Sequence, residues 1–196
     1  MKDWKGNSES CFVSNGCSNH SRGERAKHDY YATHPEAVED LLRVEKFSKA
    51  ILEPACGEGH ISKKLIEHGY TVNSTDKYDY GYGIPNVDFL KRDMPINFDV
   101  ITNPPYKYAG EFVEHTLDLI GQGRKAAMLL RIQFLESRGR YPLFQKYPPK
   151  RVYVFSKRIR CALNGDFEGT KSNAVCYAWF VWEKGFHGEP VIRWLI

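Results

Sequence analysis

Ala50-Ile51-Leu52-Glu53-Pro54-Ala55-Cys56-Gly57-Glu58-Gly59-His60-Ile61 is the stretch whose reading decides the fold. Ala50-Ile51-Leu52 reads as a short strand and Glu53 to His60 as the turn after it. Ile61, Leu65 and Ile66 mark one face of a helix that Gly69 ends. A strand, a glycine-containing turn and a helix form the nucleotide-binding unit of doubly wound sheets. Gly57 and Gly59 let a ligand approach the backbone, and the start of the helix offers free N–H groups.

Pyrophosphate ligands favour the pattern Gly-x-Gly-x-x-Gly at such a turn. Here Ser62 stands where the third glycine would be, and Glu58 sits between the other two. Glu53 adds another carboxylate at the strand end. These acids repel a pyrophosphate and favour a cationic, amine-bearing ligand, away from NAD and toward S-adenosylmethionine. Tyr70 to Thr75 reads as the next strand, closed by Asp76, an acid placed to bind ribose hydroxyls. Val87-Asp88-Phe89 reads as a brief strand or its end, with Asp88 and Phe89 suited to an adenine amine and ring. The intervening loop holds Tyr78, Tyr80 and Tyr82, which either border that adenine or pack locally.

Phe98-Asp99-Val100-Ile101-Thr102 reads as a buried strand that runs into Asn103-Pro104-Pro105-Tyr106. The prolines cannot donate to a sheet ladder, so they end the strand and hold an amide and an aromatic ring on a stiff turn. Open α/β sheets place their ligands at such strand ends.

Around these stretches, Thr33 and Glu36 have capping-box spacing, with Pro35 in the first turn of a helix running to about Glu45. A helical face follows from Phe112 to Ile120, and Lys125 to Ile132 reads as a strand covered on both faces. Arg138 to Lys146 reads as helical. Arg151 to Phe155, Ala174 to Trp182 and Val191 to Leu195 read as strands. Strand and helix alternate up to residue 132, and the last third turns to strands. The expectation is an α/β, Rossmann-like, mostly parallel doubly wound sheet with an antiparallel edge strand. Residues 1–28 are expected to form an irregular arm before a single domain over 29–196.

Taken together, Glu53 to Gly59 and Asn103 to Tyr106 resemble the motifs of class I S-adenosylmethionine-dependent methyltransferases. The chain is most similar to the small phage and prophage DNA N6-adenine methyltransferases, over most of residues 18 to 182. Asp29-Tyr30-Tyr31-Ala32-Thr33 with Pro35 is similar to that group's upstream cofactor motif, except that one residue separates Thr33 from the proline.

The resemblance implies that Tyr31 and Thr33 hold the cofactor's amino-acid end. Glu53, Ala55, Gly57 and Gly59 would line its methionine part, Asp76 its ribose, and Asp88 and Phe89 its adenine. It implies further that Asn103 and the Pro104 carbonyl accept hydrogen bonds from the target amine, while Pro105 stiffens the turn and Tyr106 stacks on a flipped base. No cysteine nucleophile is needed. Cys56 lies in the cofactor turn, and a cytosine-C5 mechanism is disfavoured.

The 196 residues allow one full-sized domain, with 42% hydrophobic and 27% charged residues. No apolar run is long enough for a membrane helix, and Met1 to Asn7 has no apolar core, so a cytoplasmic protein is expected. Five scattered cysteines argue against a disulfide framework, and Cys11, Cys17 and His20 lack the spacing of a zinc site.

The net charge is +4, with a basic stretch from Arg131 to Lys171 opposed within it only by Glu136, Asp166 and Glu168. Such a stretch suits a polyanion. Arg158, Arg160, Phe167 and Lys171 on the loop from Ser156 to Asn173 are the expected nucleic-acid contacts. DNA is the expected partner. The alternatives are an RNA base or protein glutamine methyltransferase, or a catalytically silent nucleic-acid-binding module of the same fold.

Overall fold

The computed structural model describes residues 30–159, 161–163 and 175–196. The arm expected over 1–28, the cysteines and histidine at 11, 17 and 20, and the proposed contacts Arg160, Phe167 and Lys171 lie outside these residues.

Seven strands form one sheet in the order β3-β2-β4-β5-β8-β6-β9. β2 (Ala50–Glu53), β3 (Thr71–Ser74), β4 (Asp99–Thr102) and β5 (Lys125–Arg131) run parallel. β8 (Tyr177–Glu183) runs antiparallel between β5 and β6 (Arg151–Phe155), and β9 (Val191–Leu195) closes that side parallel to β6. The antiparallel strand expected at the edge is therefore β8, and it lies further in. The returning chain lays β6 and β9 outside it. A separate antiparallel pair joins β1 (Tyr31–Thr33) to β7 (Cys161–Leu163).

Alternation along the central strands divides the core into two layers. Ile51, Ile101, Ala127, Leu129, Trp179 and Val181 face α1 (Pro35–Val44) and α2 (His60–Glu67), where Val38, Leu41, Ile61 and Leu65 meet them. Leu52, Val100, Ala126, Met128, Phe180 and Trp182 face α3 (Ala109–Leu119), through Phe112, Val113 and Leu117. A further short helix, α4 (Tyr141–Lys146), precedes β6. Among the described residues no helix is long and apolar enough to cross a membrane.

Two local readings change. The cap of α1 is His34, whose Nδ1 accepts from the Glu36 N–H at 3.4 Å. Thr33 is instead a β1 residue whose hydroxyl is bonded to Asn103. The segment around Asp88 forms no strand. Asn86 has a positive φ of 63°, which bends the chain, and a 3-10 turn occupies Phe89–Lys91.

Chain direction creates a crevice. From β2 the chain passes through α2 to β3 on one side, then returns to β4 on the other. The carboxyl ends of β2 and β4 therefore diverge into connections on opposite sides, leaving an opening between them.

Trp179 keeps α1 on the sheet: it is fully buried, and its indole N–H donates to the Ala37 carbonyl at 2.8 Å. Trp179→Ala leaves a large cavity and removes this side-chain bond to the Ala37 carbonyl. The expected loss is about 3–5 kcal/mol of unfolding free energy, measured by urea denaturation.

Candidate active site

The crevice is a cleft of about 300 Å³ at the carboxyl ends of β2, β3 and β4. Of the residues read from the sequence it brings together Tyr31, Thr33, Glu53, Ala55, Asp76, Asp88, Phe89, Asn103, Pro104, Pro105 and Tyr106. Gly57 and Gly59 are not on its wall. Both have positive φ, 51° and 80°, and each is covered by a tyrosine. A Cβ on Gly57 would lie 2.2 Å from the Tyr30 ring, and one on Gly59 2.3 Å from Tyr82. The close approach that these glycines permit within the chain is thus to aromatic rings.

Asp76 holds the glycine turn in place. One carboxylate oxygen accepts from the Gly57 N–H at 2.9 Å and the other from the Tyr78 N–H at 2.9 Å. Cys56 N–H donates to the Thr75 carbonyl at 3.0 Å, so the turn is tied to the end of β3 twice. A carboxylate can accept more than two hydrogen bonds, so Asp76 combines this structural role with the chemistry to accept from a hydroxyl.

Glu53 is 1% exposed, and the Ser62 hydroxyl donates to it. Burial, reinforced by the nearby Asp76 charge, pushes its carboxyl up to about 8 despite the Ser62 bond. Two acids at the floor of one cleft disfavour an anionic ligand and suit a cationic one.

Asp88 is ion-paired with Lys77 at 2.9 Å, which holds its carboxyl below the usual range. Phe89 is 3% exposed and packs at 5.2 Å from the rings of Phe112 and His115, so it forms part of the core beneath the cleft.

On the opposite wall, the Asn103 amide donates from Nδ2 to the Tyr31 carbonyl at 2.8 Å and to Thr33 Oγ1 at 3.0 Å. Both donor hydrogens are engaged, which fixes which way the amide points. Its Oδ1 is buried and has no hydrogen-bond partner among the described residues. Tyr31 and Thr33, expected to hold a ligand's amino-acid end, thus also hold the amide. The Tyr106 ring packs with Tyr31 at 5.8 Å and Tyr177 at 6.0 Å, and its hydroxyl donates to Cys161 Sγ at 3.8 Å.

The sequence reading missed Tyr30 and His60. The Tyr30 ring lies 4.6 Å from Tyr80, and its hydroxyl bonds Glu58, accepting from the backbone N–H and donating to Oε2, both at 3.3 Å. His60 Nε2 lies 3.2 Å from Glu58 Oε2. No periodicity marks either residue, although Tyr30 stands directly before the strand. Tyr78 and Tyr80 line the cleft, whereas Tyr82 packs on the glycine turn under Lys63. Cys56 is 5% exposed, and burial pushes its thiol up to about 12, so it is not a thiolate nucleophile near neutral pH.

The basic stretch is not one free face. Lys146 pairs with Glu114 and Asp118, Lys150 with Glu183, Arg151 with Glu45, and Lys157 with Glu36 and Asp40. Arg140 donates to the carbonyls of Gln133, Phe134 and Glu136. Arg158 is exposed and does not line the cleft, but it lies on the segment leaving the carboxyl end of β6, the same end of the sheet. Among the described residues no group of three His, Cys, Asp or Glu side chains is placed to hold a metal.

No protein-family model matches the chain, and no curated protein matches it in sequence. Solved structures do share its architecture. A protein of Listeria monocytogenes described as a class I S-adenosylmethionine-dependent methyltransferase has a TM-score of 0.60 and 14% identity, covering 90% of this chain and 68% of that one. One from Vibrio vulnificus YJ016, described as a modification subunit of a type I restriction enzyme, has a TM-score of 0.57 and 13% identity, covering 93% and 48%. One from Agrobacterium tumefaciens, described as an O-methyltransferase, has a TM-score of 0.57 and 12% identity, covering 83% and 86%. The fold is the Rossmann-like fold of class I S-adenosylmethionine-dependent methyltransferases.

The Glu53 carboxyl makes stability depend on pH. Its folded value is raised from 4.5 to about 8, so in that window the folded chain holds a proton that the unfolded chain releases. The contribution is complete below the unfolded value and lost as pH rises to the folded one. Thermal melts of wild type and Glu53→Gln across this range should show the variant gaining on wild type toward alkaline pH. Parallel curves would remove Glu53 as the titrating group.

Proposed function

We propose that the chain binds S-adenosylmethionine in this cleft and transfers its methyl group to the exocyclic N6 amine of adenine in DNA. The observation that carries this reading is the buried Oδ1 of Asn103, which has no partner among the described residues and is held in fixed orientation in the same cleft as the Glu53 and Asp76 carboxyls.

An exocyclic amine is conjugated with its ring and is a poor nucleophile. Asn103 Oδ1 accepts one of its hydrogens and the Pro104 carbonyl the other, which draws the nitrogen toward a tetrahedral shape and frees its lone pair. The ligand supplies a methyl on a sulfonium. Transfer to the amine would form the carbon–nitrogen bond as the carbon–sulfur bond breaks, releasing the neutral thioether S-adenosylhomocysteine, and the extra proton on nitrogen would pass to water. Positioning and charge complementarity are the main catalytic contributions, with no covalent enzyme intermediate.

Glu53 and Asp76 complement the ligand's positive charge, and a cation beside Glu53 favours its ionised form. Asp76 accepts from the ribose hydroxyls, and Tyr78 and Tyr80 supply aromatic surface beside the Asp88 segment for adenine. Stacking of the target base on Tyr106 requires the Tyr31 ring to move aside, since Tyr31 packs there in the free chain. Arg158 contributes a strand contact at the mouth of the site.

Incubation with methyl-labelled S-adenosylmethionine and separate DNA, RNA and protein pools tests the reading. Label is expected in DNA, recovered as N6-methyladenine after digestion. Label in RNA or protein alone would redirect it, and ligand binding with no transfer to any pool would favour a silent binding module. Asn103→Ala should lower incorporation at least about 100-fold while S-adenosylmethionine binding, followed by calorimetry, persists.

A further inference from the structure

Arg131, the last residue of β5, differs from the engaged basic residues of its stretch. β5 lies beside β4 with Met128 opposite Thr102, so Arg131 stands at the carboxyl end next to the Asn103–Tyr106 turn. Its guanidinium carbon is 4.9 Å from the centre of the Tyr106 ring. Among the described residues it makes no ion pair, and its buried Nε has no hydrogen-bond partner.

This arrangement is expensive without an anion. A partly buried guanidinium loses hydration, and a carboxylate would ordinarily compensate for it. Glu36, Asp40, Glu45, Glu114, Asp118 and Glu183 serve other cations of the stretch in that way. Stacking on Tyr106 stabilises the charge through the ring face but uses none of the five N–H donors, which lie in the guanidinium plane. A planar fork held on an aromatic face is preorganised for bidentate contact with a phosphate.

We propose that Arg131 is a phosphate subsite beside the cleft, reached past Tyr106 on its wall. It binds a phosphodiester of the strand whose base enters beside Tyr106, at the target nucleotide or the one adjoining it. The subsite rests on the nucleic-acid reading above and extends it. It gives strand binding and base placement a shared residue, because the guanidinium that grips the backbone lies on the ring beside which the base is placed.

Affinity for duplex and single-stranded oligonucleotides, measured over a range of salt concentrations, tests this with Arg131→Gln and Arg131→Lys. The Gln variant should bind more weakly, and its slope of log affinity against log salt should be shallower by about 0.9 on duplex or about 0.7 on single strands. Its S-adenosylmethionine affinity should match wild type, and its melting temperature should be no lower. The Lys variant should keep the wild-type slope while binding several-fold less tightly, since it retains the charge and loses the fork.

An unchanged slope in the Gln variant overturns the subsite. If the Gln variant melts early, the Lys variant decides, and wild-type affinity there overturns it. Wild-type protein that neither binds nor methylates nucleic acid defeats the underlying reading instead, which separates the two failures.

Discussion

The side-chain amide of Asn103 is the constraint on which the site depends. β4 delivers it to the carboxyl end of the sheet, and Pro104 and Pro105 stop the chain from pairing further. An amide on a rigid turn could still rotate. The Tyr31 carbonyl and the Thr33 hydroxyl prevent this by taking both hydrogens, so the oxygen is the atom left over. A buried acceptor without a donor costs about 1–3 kcal/mol, a strain that a site can hold for a ligand. The same bonds dock β1 onto the turn, and β7 comes with it through their ladder. The small second sheet, the amide and Tyr106 therefore form one unit.

The facing wall is organised by carboxylates. Asp76 ties the glycine turn to the loop after β3, so Gly57 and Tyr78 are placed by one side chain. Glu53 is buried behind it, bonded by Ser62, and its carboxyl is protonated more readily than in water because burial disfavours the charged form and the Asp76 charge adds to this. The two acids stand together at one end of the cleft, each held by hydrogen bonds from the chain. The cleft thus combines an acidic floor, which favours positive charge, with an acceptor that has no donor among the described residues and so favours an N–H or O–H group.

The basic stretch illustrates how linear charge counts mislead. From Arg131 to Lys171 few acids are near in sequence, yet Lys146, Lys150, Arg151 and Lys157 each find one contributed by α1, the residue capping it, α3 or β8. Glu45 alone receives Lys125, Arg151 and the Tyr153 hydroxyl where α1 meets the sheet. Long-range folding neutralises these charges, and Arg131 stands out by contrast.

The amino-acid sequence by itself determined the alternation of strands and helices, the glycine turn after β2 and the proline stop after β4. These follow from local properties: apolar period, backbone freedom at glycine and a missing N–H at proline. It also placed most of the cleft's residues on strand ends, because in a parallel sheet those ends necessarily share one side. Tertiary structure alone decided that β8 lies inside the sheet, that Asp88 is paired with Lys77 on a bend, and that Thr33 serves Asn103 instead of capping α1. It also decided that Tyr30 covers Gly57 and that Arg131 rests on Tyr106. Each of these is a contact between segments far apart in the chain, chosen by competition among partners that only the folded packing brings within reach.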